Sequence, residues 1–329
     1  MDTSQSDTID VTAIICTRNR ATQLSDVLES ASHLIIPSAL SWELIVVDNG
    51  SSDNTPEVVR QYAACLPLRI VREEMPGLSN ARNRGVAEAR GEYICWTDDD
   101  VRLDPNWLAA YVAAFRRHPE AAVFGGRILP ILESPTPAWF TKAKDRWPIA
   151  TILAARDFGD EIMPVTLKGG QEPYGANFAL RAIEQRQYKY NPLLGVSPTQ
   201  RRVGEETDVI YKILTSGSTG WWVPDSKVYH VIPRGRQTLW YVYHYFFLSG
   251  ETSAYLVCEQ AQDNYITGPG KSPPPLTLHP PEIYGRILRA AVGFGYHQFT
   301  SNADSKLRHL RDFGFYCGVL SYVRKAPPR

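Results

Sequence analysis

The residues with the plainest capacity for chemistry are three adjacent carboxylates, Asp98, Asp99 and Asp100. They close an apolar, aromatic and β-branched run, 93–97, that reads as a buried strand. In an open α/β sheet ligands gather at the carboxyl ends of strands, so these acids stand where a ligand would bind. If the chain stays extended there, Asp98 and Asp100 point to one side and Asp99 to the other. Adjacent like charges repel, and a hard divalent cation relieves that repulsion. The plainer reading is a solvated acidic turn leading into a helix that Asp104 caps and Pro105 opens. A second acidic cluster, Glu205-Glu206-Thr207-Asp208, follows Gly204. Carboxylates on the first turn of a helix are commonly partners of its dipole. His230 lies inside an extended apolar segment, with Arg234 and Arg236 just beyond it.

The elements that must position these groups alternate. Val11–Thr17 is an apolar strand running into the polar turn Arg18-Asn19-Arg20. Leu24, Val27, Leu28 and Ala31 then form one helical stripe. A second strand, 42–47, ends at Asp48-Asn49-Gly50-Ser51-Ser52, and Thr55-Pro56 opens a second helix. A third strand spans 68–71. Pro76-Gly77 turns the chain, and Ser79 is placed to cap a helix that reaches residue 89. Gly91 suits the end of that helix. The order β-α-β-α-β-α-β is the pattern of a parallel, doubly wound sheet. Next come a helix carrying Leu108, Tyr111, Val112 and Phe115 and a strand over 122–129, broken by Gly125-Gly126. The aromatic and basic stretch 130–171 is irregular, a surface excursion or a lid. The segment 175–181 reads as a short strand entered through a close backbone approach. A helix with Val209, Ile210, Ile213 and Leu214 ends at Gly217.

Composition narrows the class. A chain of 329 residues with 43% hydrophobic content is long enough for one large or two modest domains. Its formal net charge of zero gives nucleic acid no bulk electrostatic attraction. The five cysteines are scattered and odd in number, which fits packed thiols in a reducing compartment better than a disulfide framework. The polar, acidic start is unlike a signal peptide. No stretch reaches the ~20 apolar residues of a membrane span. The expected setting is cytoplasmic, with peripheral contact at the inner face of a membrane left open.

Taken together and in order, these pieces resemble family 2 glycosyltransferases of the GT-A fold. The resemblance covers about Val11 to Gly250. It rests on Thr17-Arg18-Asn19-Arg20, on the strand ending Val46-Val47-Asp48-Asn49-Gly50-Ser51-Ser52-Asp53, and on Pro76-Gly77-Leu78-Ser79-Asn80-Ala81-Arg82-Asn83. Asp98-Asp99-Asp100, Gly175-Ala176-Asn177-Phe178-Ala179-Leu180-Arg181, Gly204-Glu205-Glu206-Thr207-Asp208 and Val228-Tyr229-His230 complete it. It implies an α/β chain with a Rossmann-like, mostly parallel central sheet flanked by helices and a helical C-terminal extension. The implied organisation is a flexible 1–9, a transferase domain 10–250 and an extension 251–329 with a Pro/Gly-rich linker, 262–281. Within the transferase domain, 10–129 is the nucleotide-binding half and 130–250 the acceptor and catalytic half.

The resemblance also implies the reaction and its residues. One sugar moves from a nucleotide-diphosphate donor, a UDP-sugar by preference, to a hydroxyl of a saccharide or lipid-linked acceptor. Thr17, Arg18, Asn19, Arg20, Asp48, Arg82 and Asp98 match nucleotide-binding positions, with Thr17 and Arg82 flanking the base. Asp48 starting an Asx-turn and Arg82 as a surface cation are the plainer alternatives. Asp98, Asp100 and His230 match a shell for Mn²⁺ or Mg²⁺, an imidazole favouring Mn²⁺. Gly175, Asn177 and Asp208 match donor and acceptor sugar positions, and Arg234 and Arg236 can pair with the diphosphate. The family has Glu-Asp where this chain has Glu205-Glu206. By position Glu206 is the base that deprotonates the acceptor, with Glu205 or Asp208 in reserve.

Two other classes compete. A nucleotidyltransferase also places carboxylates at strand ends, but no G-x-x-x-x-G-K-[ST] loop is present. A non-catalytic nucleotide-sugar-binding module would not need the full set of carboxylates and His230. The aromatic run 240–248 and the helices within 284–323 carry more apolar surface than a solvated face needs. They are expected to cover the catalytic domain or to touch a membrane.

Overall fold

The structure is a computed structural model that describes residues 9–166, 170–198, 201–260, 278–299 and 302–325. In chain order the strands are β1 Val11–Thr17, β2 Trp42–Asp48, β3 Leu68–Arg72, β4 Tyr93–Asp98, β5 Val101–Leu103, β6 Val123–Leu132, β7 Met163–Pro164, β8 Asn177–Arg181 and β9 Gly220–Ile232. The helices are α1 Ala21–Ser32, α2 Thr55–Tyr62, α3 Leu78–Glu88, α4 Trp107–Arg117, α5 Ala138–Ala143, α6 Ile149–Ile152, α7 Ala182–Gln187, α8 Glu205–Thr215, α9 Leu239–Gln260, α10 Pro280–Tyr296 and α11 Ala303–Lys325. Packing divides the chain into two units. One holds Met1–Leu129, Arg156–Thr199 and Glu205–Val231, and the other Pro130–Ala155, Gln200–Gly204 and Ile232–Arg329.

The first unit is a mostly parallel sheet between two helical layers. Its strand order is β3-β2-β1-β4-β8-β6-β9-β5, with β7 on β9. β1, β2, β3 and β4 are parallel, joined by α1, α2 and α3 as crossovers. Alternation sorts the side chains by face. Ala13, Ile15, Leu44 and Val46 pack with Leu24, Val27 and Leu28 of α1 and Leu108 and Phe115 of α4. Ile14, Ile45, Val47, Ile94 and Trp96 pack with Ala81 of α3 and Val209, Ile210 and Ile213 of α8. β8 then enters antiparallel against β4. Register decides what gathers at the carboxyl edge. Thr17 lies opposite Asp48, and Cys16 opposite Asp98, so three strand ends meet there.

Several local expectations change. The acidic run does not stay extended: β4 ends at Asp98, the chain turns at 99–100, and β5 forms against β9. α4 starts at Trp107 rather than at Pro105, because Asp104 accepts the Asn106 N–H and the Tyr229 hydroxyl instead of capping. Ser79 does not cap α3; it sits within the first turn and donates to the Leu194 carbonyl. Gly91 does not end α3, whose C-cap is Ala89. It is glycine because a Cβ there would lie 2.4 Å from the Thr12 nitrogen. β6 runs unbroken through Gly125-Gly126, where Pro173 and Asn177 fill the space that side chains would need.

The second unit is helical. α9 and α11 approach closely along Gly250, Gly314 and Gly318, where a Cβ would meet the other helix's backbone. Val242, Phe246, Leu307 and Leu310 are buried with Phe140, Ile149 and Ile152 of α5 and α6. The irregular reading of 130–171 is thus only partly met. The linker reading of 262–281 falls mostly outside the described residues, as does 1–8. Among the described residues no helix is long and apolar enough to cross a membrane.

At the opposite edge of the parallel strands Glu43, on β2, joins β1, β3 and the turn after α3. It accepts from Thr12 Oγ1 at 2.8 Å, Arg90 Nη2 at 2.7 Å and Arg69 Nε at 3.1 Å. Burial alone would raise its pKa, but these donors outweigh burial and hold it at about 2. A folded pKa below the ordinary 4.5 means the stabilisation is complete above pH 4.5 and lost as pH falls towards 2. Glu43→Gln is expected to lower unfolding free energy by ~2 kcal/mol at neutral pH, discounted because the arginines are partly exposed. Urea titrations from neutral to acid pH should show the difference from wild type shrinking below pH 4.5.

Candidate active site

Carboxylates from three places converge at the carboxyl edge of the first unit, and two arginines divide them. Arg82 projects from α3 into the protein and is 3% exposed. Its guanidinium lies 3.5 Å from Asp98 Oδ1, 3.1 Å from Glu205 Oε1 and 3.9 Å from Glu206 Oε2. The rings of Trp96, Phe178 and Tyr190 surround it at 5.9, 5.8 and 5.5 Å. Arg20, in the turn after β1, takes the other two acids. It pairs with Asp99 at 2.5 Å and with Asp100 at 3.1 Å. Thr17 Oγ1 also donates to Asp99, at 2.7 Å. The acids therefore divide as Asp98 against Asp99 and Asp100, because the chain turns after Asp98.

The three differ in access. The Asp98 side chain is 36% exposed, while Asp99 and Asp100 are 5% and 9%. Desolvation and the neighbouring Asp100 and Glu206 carboxylates raise the Asp98 pKa against the pull of Arg82. His230, on β9 opposite Val101, sets Nε2 3.5 Å from Asp100 Oδ1. No trio of metal-ligating side chains is closed among the described residues. What is present is a carboxylate–imidazole pair beside a more open carboxylate. That suits a hard cation that takes the rest of its shell from phosphate and water. The charge count agrees, with five carboxylates around two guanidiniums.

α8 begins at the site. Glu205 is buried behind Arg82, and burial together with the adjacent Glu206 pushes it up to about 7. Glu206 is more open, and its Oε1 accepts the Gly175 N–H at 3.0 Å. Gly175 must lack a side chain: a Cβ would lie 2.8 Å from Arg82 Nη2 and 3.3 Å from Glu206 Oε1. Beside it, buried Arg156 lies over the Tyr174 ring at 3.5 Å and pairs with Glu172. The sequence reading missed this prop, since Arg156 lies in the irregular stretch and Glu172 and Tyr174 just beyond it, with no spacing that joins them.

Other expected residues are placed differently. Asn177 does not face a sugar. Its Oδ1 accepts from Trp107 Nε1 and the Tyr111 hydroxyl, and its Nδ2 donates to the Arg127 and Ser226 carbonyls. All four hydrogen-bonding positions are used, so it ties β8 to its neighbours. Asp208 is fully buried and paired with Lys212 at 2.6 Å, within its own helix. Asp48 makes the Asx-turn, accepting from the Ser51 N–H at 2.8 Å, and also pairs with Arg72. Arg82 neither flanks a base nor lies on the surface, because the acids and rings enclose it. Asn19 bonds the turn after β2, accepting from the Ser52 N–H. Arg18 Nη1 is shielded from solvent with no hydrogen-bond partner among the described residues. Arg234 and Arg236 form a short 3₁₀ turn in the second unit.

The profile of Glycosyl transferase family 2 matches residues 12–181. The succinoglycan biosynthesis protein ExoM of Rhizobium meliloti (strain 1021) is 26% identical over 262 residues, 78% of this chain and 77% of its own. The putative glycosyltransferase EpsH of Bacillus subtilis (strain 168) is 30% identical over 98 residues, 30% of this chain and 28% of its own. Among solved structures, the mannosyltransferase PcManGT from Pyrobaculum calidifontis, in complex with GDP-Man and Mn²⁺, superimposes with a TM-score of 0.56. It is 18% identical, over 98% of this chain and 89% of its own. S. aureus TarS 1-349 in complex with UDP gives a TM-score of 0.54 at 14% identity, over 98% and 93%. Both are GT-A fold enzymes, and the chain shares that fold.

Asn177→Ala strands two buried donors and two buried carbonyls. The expected cost is about 3 kcal/mol of stability. Thermal denaturation measures it; an unchanged melting temperature with a raised acceptor KM would return Asn177 to the sugar site.

Proposed function

This chain belongs to glycosyl transferase family 2 and is a glycosyltransferase, and we propose that it is a metal-dependent, inverting one. Its donor is a nucleotide-diphosphate sugar, a UDP-sugar by preference, and its acceptor a hydroxyl of a saccharide or lipid-linked saccharide. The observation that carries the proposal is the single buried Arg82 joined to Asp98 on one side and to Glu205 and Glu206 on the other. It ties the strand end that faces the donor to the helix end that faces the acceptor. PcManGT with GDP-Man and Mn²⁺, and TarS with UDP, are proteins of the same fold holding such ligands.

The nucleotide lies along the carboxyl edge near Thr17, Arg18 and Asp98, where the ends of β1, β2 and β4 meet. Asp98, Asp100 and His230 would hold Mn²⁺ or Mg²⁺. When bound, that cation offsets the surplus of carboxylates and the charge of the departing diphosphate. Geometry precedes pKa in choosing the base. Glu205, pushed up to about 7, is enclosed behind Arg82, whereas Glu206 is the more open and is oriented by the Gly175 N–H. Glu206 takes the proton of the acceptor hydroxyl as its oxygen bonds to the anomeric carbon. The bond from that carbon to the phosphate oxygen breaks from the opposite face, so configuration inverts.

Glu206→Gln is expected to lower kcat by ~10²–10⁴ and leave nucleoside diphosphate affinity unchanged. Stopped turnover and isothermal titration on the same preparation test this. Retained turnover in Glu206→Gln, with loss in Glu205→Gln, would move the base by one residue.

Asp100→Ala is expected to abolish turnover and to remove the Mn²⁺-dependent part of nucleoside diphosphate binding. Thermal-shift titrations with and without the metal read the binding directly. Full turnover in excess chelator would refute the metal assignment.

A further inference from the structure

One face of α10 is apolar and bare. Tyr284, Leu288, Val292 and Tyr296 are 46–66% exposed, and Phe299, just past the helix end, is 93% exposed. At 100° per residue the four helical positions fall within an arc of about 120°. The other side of the helix already has its partner. Ile283 and Ala290 are buried, and Ile287 and Phe294 are packed in the helical clusters of the second unit. Among the described residues α10 thus carries a second, largely uncovered apolar face, in a class of surface that marks an interaction site.

The surroundings of that face are basic. The stretch 278–325 holds seven Lys and Arg against three Asp and Glu, in a chain whose totals balance at 35 each. Arg289 borders the apolar arc at helical spacing. With Arg286, His309 and Tyr316 it lines a cavity of about 330 Å³ between α10 and α11, which also holds Asp312. Arg286 Nη1 is fixed there by the Tyr316 hydroxyl at 2.8 Å. At the other end of the face, Arg324 donates to the Tyr284 hydroxyl at 2.6 Å.

We propose that α10 docks this unit on an anionic phospholipid surface. The helix lies in the plane of the interface, with Tyr284, Leu288, Val292, Tyr296 and Phe299 at the acyl boundary. Arg289 at the border of the arc and Arg324 beside Tyr284 meet the lipid phosphates. An apolar face with aromatic residues and a basic border is the signature of an interfacial helix. Charge selects lipid over a second copy, since the 278–325 stretch carries a net positive excess that favours an anionic surface over its own like. The inference stands apart from the transferase reading, because it concerns α10 and α11 alone.

Flotation of the full chain with phosphatidylcholine vesicles, with and without phosphatidylglycerol, tests it. Wild-type protein is expected to float with the anionic vesicles at low salt and to be released at high salt. Leu288→Glu with Val292→Glu should stay at the bottom with an unchanged melting temperature, as both positions are exposed. Arg289→Gln with Arg324→Gln should weaken partitioning about 30-fold, at ~1 kcal/mol per basic residue near an anionic surface. The proposal is overturned if wild type stays at the bottom with both vesicle types, or if the arginine variant floats unchanged. Sedimentation velocity closes the remaining alternative: a wild-type dimer that Leu288→Glu with Val292→Glu splits into monomers would make the face a protein interface.

Discussion

The site depends on one buried cation. Arg82 is sealed by Trp96, Phe178 and Tyr190, and an arginine so enclosed is tolerable only if its charge is answered nearby. The answer comes from two chain segments far apart in sequence, the end of β4 and the start of α8. Satisfying Arg82 therefore places Asp98 beside Glu205 and Glu206. Several neighbours follow from the same demand. Gly175 must be bare so that its N–H reaches Glu206 without displacing the guanidinium. Ser79 and Asn83, on the same helix as Arg82, hydrogen-bond the 188–195 segment that supplies Tyr190.

Arg20 does the complementary work at the surface. It draws Asp99 and Asp100 towards the turn after β1, leaving Asp98 the most exposed of the three acids. Two arginines answer five carboxylates there, which leaves a surplus of acid groups at that edge. The opposite edge of the strands uses the inverse arrangement: one carboxylate, Glu43, gathers Thr12, Arg69 and Arg90. Glu43 has its charge answered by Arg69 and Arg90, whereas the carboxyl edge has a surplus of carboxylates. The contrast separates a charge-paired end of the sheet from one with a surplus of carboxylates.

The parallel half of the fold was legible because its signals are local. Strand-like runs of four to seven residues, the helical stripe of Leu24, Val27, Leu28 and Ala31, and the turn residues after each strand suffice to order β1 to β4. So were the acids at the end of β4 and the start of α8, since strand ends and helix ends are readable from composition. β5 was missed because three residues carry no periodicity and pair only with distant β9. Asn177 was misread because a polar residue in a short motif looks like a ligand contact until its four partners, from α4, β6 and β9, are known.

The sequence by itself determined the doubly wound frame, the strand ends on which Thr17, Asp48 and Asp98 stand, and the presence of a surplus of carboxylates. Those follow from propensity, patterning and charge, which act over a few residues. Only the tertiary structure decided how the acids divide, Asp98 with Arg82 and Asp99 and Asp100 with Arg20, and that Arg82 is enclosed. It also decided that Asp48 and Asn177 spend their side chains on the fold and that one face of α10 stays bare. Each of these depends on which distant group neutralises or covers another, and burial and charge pairing are properties of the packed chain.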